Sequence, residues 1–241
     1  HFFNLKSNIM KRIYFFLLLF IIIMLYGNSN VFSQIDVSNT DREDGWSFQI
    51  GLSTPLADFR EEFDDSDDEF GGATYGLAAG LKYNKPVNSA GLDVIAGLNV
   101  FYNGLSNDTK DNLENLLEGA DHTFFRYFNI PIFGGLQYEL PSDNDNVFFA
   151  NASILANTLI TTDWVIKYDG EKQTIEHDIA NSFGISLGCG LQLNEKISIL
   201  VNYYNLGEHD VDYTRIIDNE KYKDDYKIKV NLATLTLVFK I

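Results

Sequence analysis

Cysteine is nearly missing from this chain: Cys189 stands alone among 241 residues. A single thiol excludes an intramolecular disulfide framework. Histidine occurs four times, proline four times and methionine twice. Bases are also scarce, with 18 Lys and Arg against 34 Asp and Glu and a formal charge of −16. That balance argues against a nucleic-acid partner, since phosphate binding needs a basic face. No H-E-x-x-H motif occurs, so the common zinc-protease signature is missing too. The only long apolar run lies near the start, at Ile13–Tyr26, and it is shorter than the ~20 residues that a helical span needs.

That run follows Met10-Lys11-Arg12 and precedes Val31-Phe32-Ser33, which has the pattern of a secretory signal peptide cleaved after Ser33. Residues 1–33 are therefore read as upstream sequence plus signal peptide, 34–45 as a short periplasmic segment, and 46–241 as one folded domain. No cysteine follows the apolar run to carry a lipid anchor. Losing Lys6, Lys11 and Arg12 with the leader takes the formal charge from −16 to −19.

The mature sequence is dominated by period-two alternation. In WSFQIGLS, Trp46, Phe48, Ile50 and Leu52 share one face, while Ser47, Gln49, Gly51 and Ser53 share the other. Eight such segments are expected, near 46–54, 73–84, 90–103, 123–140, 147–162, 179–194, 196–206 and 226–241. Short connections follow the second, fourth and sixth. Long ones follow the first, third, fifth and seventh, near 55–72, 104–122, 163–178 and 207–225. Behind a signal peptide, this predicts an all-β, eight-stranded, antiparallel up-and-down transmembrane β-barrel in the outer membrane. Short turns and both termini would face the periplasm, and long loops the exterior. A lipocalin-like soluble barrel is the rival architecture. Its outer face would carry solvated side chains, whereas here the less apolar face holds small Gly, Ser, Ala and Asn residues suited to a narrow interior. Tyr83, Tyr138 and Phe148 near the short turns, and Tyr75, Tyr102 and Trp164 near the long loops, are expected to form two aromatic girdles.

The long connections hold 25 acids and 7 bases, so almost all the mature charge lies at one end. Seven carboxylates crowd residues 61–69: Glu61, Glu62, Asp64, Asp65, Asp67, Asp68 and Glu69. A solvated loop is the plainer reading. A weak Ca²⁺ or Mg²⁺ site is the sharper one, although the spacing matches no EF-hand. No other cofactor is expected. On the interior face, Lys82, Asp93, Glu139 and Lys240 are expected to form a charge network that plugs the lumen, since eight strands leave room for little but side chains. In the second long connection, Asp111 and Glu114 have capping-box spacing ahead of Leu113, Leu116 and Leu117, which predicts a short helix over the barrel mouth. His122, His177 and His209 fall at the bases of long loops and are read as exposed rim residues. A His–acid or metal site built on His177 and His209 is the enzymatic alternative, and the chain is read as not an enzyme.

The stretches GWSFQIGLSTPLADF, YGLAAGLKYNKPVNSAGLDVIAGLNVFYNG, RYFNIPIFGGLQYEL and NSFGISLGCGLQLNEKISILVNYYNLGEHD resemble the outer-membrane β-barrel domain family of Bacteroidota, the porin-family or PorT-like proteins. OmpA-like barrels are its wider relatives. Asn129-Ile130-Pro131-Ile132 resembles that family's fourth-strand motif, and Tyr204-Asn205-Leu206-Gly207 the end of its seventh strand. The resemblance covers residues 45–241. It implies a structural or binding role at the cell envelope among lipid and lipopolysaccharide, with a secretion-apparatus component, a narrow diffusion pore and a lipid-modifying hydrolase as the alternatives. It also implies recognition by the barrel assembly machinery through the last strand. There Phe239 takes the place of the usual terminal aromatic, because the chain continues to Ile241. Pro131 loses a ladder donor and is expected to mark a bulge or bend.

Overall fold

The computed structural model describes residues 44–61, 71–87, 91–117, 119–140, 147–168, 171–217 and 220–241. The leader, the segment 34–43 and six of the seven clustered carboxylates, Glu62 to Glu69, lie outside that set.

Among the described residues eleven strands are present: β1 (Gly45–Leu56), β2 (Ala73–Pro86), β3 (Leu92–Leu105), β4 (Asp121–Thr123), β5 (Tyr127–Leu140), β6 (Val147–Thr161), β7 (Trp164–Tyr168), β8 (Glu171–His177), β9 (Ala180–Gln192), β10 (Ile197–Ile217) and β11 (Glu220–Lys240). One helix, α1, spans Asn107–Leu116. Eight of the strands close a ring in the order β1-β2-β3-β5-β6-β9-β10-β11, and β11 pairs back onto β1 from Ser47↔Lys240 to Leu56↔Asn231. Every neighbouring pair is antiparallel. Closure satisfies each strand's backbone groups on both sides, so the sheet has no free edge at that level. Eight strands ~4.8 Å apart and tilted by ~40° make a ring roughly 16 Å across.

Alternation places the side chains as the sequence predicts for β1 and β2. Trp46, Ile50, Leu52, Tyr75, Leu77 and Leu81 are exposed on the outer wall, while Ser47, Gln49, Ser53 and Lys82 are buried inside. Outside, Ile154 and Phe183 are 74% and 75% exposed, and Ile185, Leu187 and Leu235 join them. Apolar residues so open, in register around a closed wall, need a hydrocarbon solvent. Phe128 and Tyr138 stand ten residues apart on the outer face of β5, which at ~40° tilt spans about 25 Å, the height of a membrane barrel's apolar band. Trp46 and Tyr83 pack at 5.2 Å near the termini, and Tyr102 and Phe128 at 5.1 Å toward the opposite end. Trp164 departs from expectation. It turns inward against Phe125 and the interior core, because it belongs to a hairpin above the wall.

The interior also differs from the small, polar lumen expected. In the half away from the termini it holds Phe101, Tyr127, Leu155, Leu159, Leu206, Val211, Ile228, Val230 and Leu232 as one buried cluster. Several of the small residues stand where another chain segment crowds them. A Cβ on Gly76 would lie 1.7 Å from the Tyr102 carbonyl oxygen.

Two long connections are themselves strands. Residues 207–217 and 220–225, expected as loop, continue β10 and β11 as a hairpin paired as far as Ile217↔Glu220. A bulge between Asn205 and Gly207, where Gly207 has φ +88°, shifts the phase of alternation by one residue. Beyond it Glu208 and Asp210 face outward into water, so the apolar outer face ends there. Within 163–178, also expected as loop, β7 and β8 pair with each other, β8 pairs with β10 through His177↔Tyr213, and β7 pairs with β4 through His122↔Ile166. Helix α1 begins earlier than expected. Ser106, not Asp111, is its N-cap, and its hydroxyl accepts the Thr109 N–H at 3.0 Å. Leu113 packs into the interior cluster and docks the helix over the mouth. Pro131 causes neither bulge nor register shift. Its missing N–H interrupts the β3–β5 ladder between Leu98↔Ile132 and Phe101↔Asn129, while pairing to β6 runs on through Pro131↔Asn157.

Candidate functional site

The four charges expected on the interior face do come to one place. Lys82, Asp93, Glu139 and Lys240 all line a cavity of about 560 Å³ at the end of the lumen that carries the termini. Alternation on β2, β3, β5 and β11 turns each inward, and the ring order sets them around the wall. The Lys82 Nζ donates to Gln137 Oε1 at 3.0 Å and lies 5.6 Å from the Phe149 ring centre. Asp93 and Glu139 are near enough to act on it electrostatically. Asp93 accepts a long contact from Asn84 Nδ2 at 3.4 Å. These groups line a vestibule. The lumen is closed further in, and by different residues.

That closure centres on Tyr204 of β10. Its ring packs at 4.9 Å on Phe101 of β3, on the opposite side of the barrel. Its hydroxyl accepts from Asn99 Nδ2 and Asn202 Nδ2, both at 3.1 Å. Tyr204 is thus a bar across the lumen, anchored at both ends. Beside it, a recess bounded by Gln49, Ile95, Phe133 and Asn202 holds only about 10 Å³, room for at most one water. Beyond the bar the apolar cluster fills the interior, and Tyr127 donates to the Gly71 carbonyl at 2.9 Å to tie the first long connection down. Periodicity alone could not reveal this plug. Its members occupy the same inward positions as the small residues, and only the ring order sets Tyr204 against Phe101.

The histidines are not a rim set. His209 is fully buried, its Nε2 2.7 Å from Ser182 Oγ and 2.9 Å from Asn157 Nδ2, and Asn157 also donates to Asn129 at 2.8 Å. His177 packs among Phe125, Tyr213 and Tyr226, with Nδ1 3.2 Å from the Thr162 carbonyl. Burial lowers its pKa below the usual histidine value, against the pull of that carbonyl and of Asp163. His177 pairs with Tyr213, four residues along β10 from His209, so the two imidazoles stand roughly 13 Å apart along the strand and do not form one site. His122 lies 3.8 Å from Glu114 and edge-on to Phe124. Among the described residues, no group of three or more His, Cys, Asp or Glu is placed to hold a metal ion. Glu61, the one clustered carboxylate described, is exposed.

The structure is similar to that of a major outer membrane protein from Thermus thermophilus, with TM-score 0.50 and 11% identity over 83% of this chain and all of the other. This is the fold of an eight-stranded outer-membrane β-barrel. Two further solved structures are similar to the barrel. OprG from Pseudomonas aeruginosa has TM-score 0.48 and 13% identity, over 86% of this chain and 99% of that one. The attachment invasion locus protein Ail of Yersinia pestis has TM-score 0.41 and 15% identity, over 83% and 100%. No protein-family model matches the barrel's sequence, and no curated protein does.

Proposed function

We propose that this chain is a non-enzymatic, non-conducting barrel of the outer membrane, with a structural or binding role at the envelope. The termini and short turns face the periplasm. The end bearing α1, β7–β8 and the β10–β11 extension faces outward among lipopolysaccharide. The observation that carries this reading is the lumen itself, closed by the Tyr204 bar and by the apolar cluster above it. The signal-peptide pattern before Gln34 supports export, and the outward-facing carboxylates support contact with divalent cations, surface polysaccharide or a partner protein. Planar-bilayer recording of the purified barrel tests it: no single-channel steps are expected. Steps of porin size would favour the diffusion-pore alternative.

A second reading, a PorT-like component of a secretion apparatus, draws on the sequence resemblance and on the sheet that rises above the barrel. Its discriminating observation is a set of envelope proteins that co-purify stoichiometrically with the barrel. For the acidic stretch at 61–69, calorimetry with millimolar Ca²⁺ is the test. Saturable heat would support the cation site, and its lack would leave a solvated loop.

A further inference from the structure

We infer that the vestibule at the terminal end binds a small zwitterion, a ligand with a free amine at one end and a free carboxylate at the other. In the ring order β1-β2-β3-β5-β6-β9-β10-β11, β3 stands opposite β10, and β5 stands opposite β11. Asp93 and Glu139 therefore form one wall, and Lys240 of β11 and Lys196 at the foot of β10 form the other. Glu195 stands beside Lys196, and Lys82 beside Asp93, so the two walls carry a net +1 and a net −1. A lumen of mixed charge built only for solvation has no need to sort its signs across a diameter. This one does so around about 560 Å³, within the range of small-molecule sites.

Depth and floor favour a ligand as well. Asp93 and Lys82 are almost wholly buried, at 2% and 5% exposure, and Lys82 is held by Gln137 and Phe149 rather than left to swing. Preorganised charge of this kind costs little further ordering when a ligand arrives. Phe149, Val147 and Val238 supply an apolar floor for the ligand's middle. Walls roughly 16 Å apart at the backbone, with side chains reaching inward, suit the span of a free amino acid or a short peptide. The carboxylates would take the amine and the lysines the carboxylate, each through charge-assisted hydrogen bonds. The inference rests on the orientation proposed above only for its setting, the periplasm; the site itself does not depend on it.

Titration calorimetry on the mature barrel in neutral detergent tests it, with trialanine as the probe. Saturable binding in the millimolar range or tighter is expected. Acetylating its amine or amidating its carboxylate should each weaken binding about tenfold, the loss of one charge-assisted contact. Glu139→Gln should abolish the difference between trialanine and its acetylated form, and Lys240→Gln the difference between trialanine and its amide. Both positions lie toward the rim, and an unchanged heat-shifted band shows that the variants fold. Alanine binding as well as trialanine would make the ligand a free amino acid, and tighter trialanine a peptide. No saturation, capped peptides within twofold of the free one, or inorganic phosphate competing on equal terms would overturn the inference. None of those results would touch the barrel reading, because binding in detergent is independent of orientation and of conductance.

Discussion

At the scale of single residues, burial and partners decide which positions matter. Phe101 is 1% exposed and packs on Tyr204, so Phe101→Ala leaves a cavity beside the bar and should cost about 3–5 kcal/mol. Urea titration of the micelle-bound barrel, followed by tryptophan fluorescence, reads that loss. Tyr204→Phe removes the acceptor shared by Asn99 and Asn202 and strands two amide donors, which should cost about 1–3 kcal/mol by the same titration. His177 gives the pH dependence. Burial lowers its folded-state pKa, so the native hairpin prefers the neutral ring while the unfolded chain takes up a proton near its ordinary pKa of about 6.5. Its contribution is whole above that pH and is lost as pH falls below it. Unfolding midpoints at pH 8 and pH 5 should differ more in the wild type than in His177→Gln; equal differences would contradict this account.

At the scale of elements, the sequence made the wall legible and the superstructure illegible, for one physical reason. Inside the membrane an outward side chain must be apolar, so period two stands out in stretches such as Trp46–Leu52 and Phe183–Leu193. Above it, outward residues meet water. There Glu208, Asp210 and Asp212 alternate with inward Val211 and Tyr213, a pattern easily read as a charged loop. The Gly207 bulge hides it further by moving the inward set from Leu206 to His209. The same blindness made β7–β8 a loop and His209 a rim residue, although it is buried beside Asn157. Excising residues 212–225 should therefore remove only the extension: the ring keeps its β10–β11 pairing from Ile197↔Phe239 to Asn205↔Asn231. The variant should still show a folded band that shifts on boiling, while β7–β8, deprived of Tyr213 to Ile216, becomes sensitive to protease. A band that no longer folds would place part of the barrel's stability in the extension.

At the scale of the whole molecule, two solvents divide the labour. The outer wall answers to hydrocarbon, the far half of the lumen is a packed apolar core, and the near half is a charged vestibule. Charge is distributed to match. The long connections carry 25 acids and 7 bases, while the charged groups lining the vestibule near the termini balance. The location of the four interior charges was legible, because alternation fixes which face a residue takes. Their relation to the plug was not, since that depends on which strands oppose each other across the ring. Residence of a closed barrel in the outer membrane is read from the electrophoretic mobility of the outer-membrane fraction with and without boiling. A band in that fraction that migrates differently when unheated is the expected result. Recovery only from the soluble periplasm, with no change on heating, would contradict it and turn the exposed apolar wall into an unexplained surface.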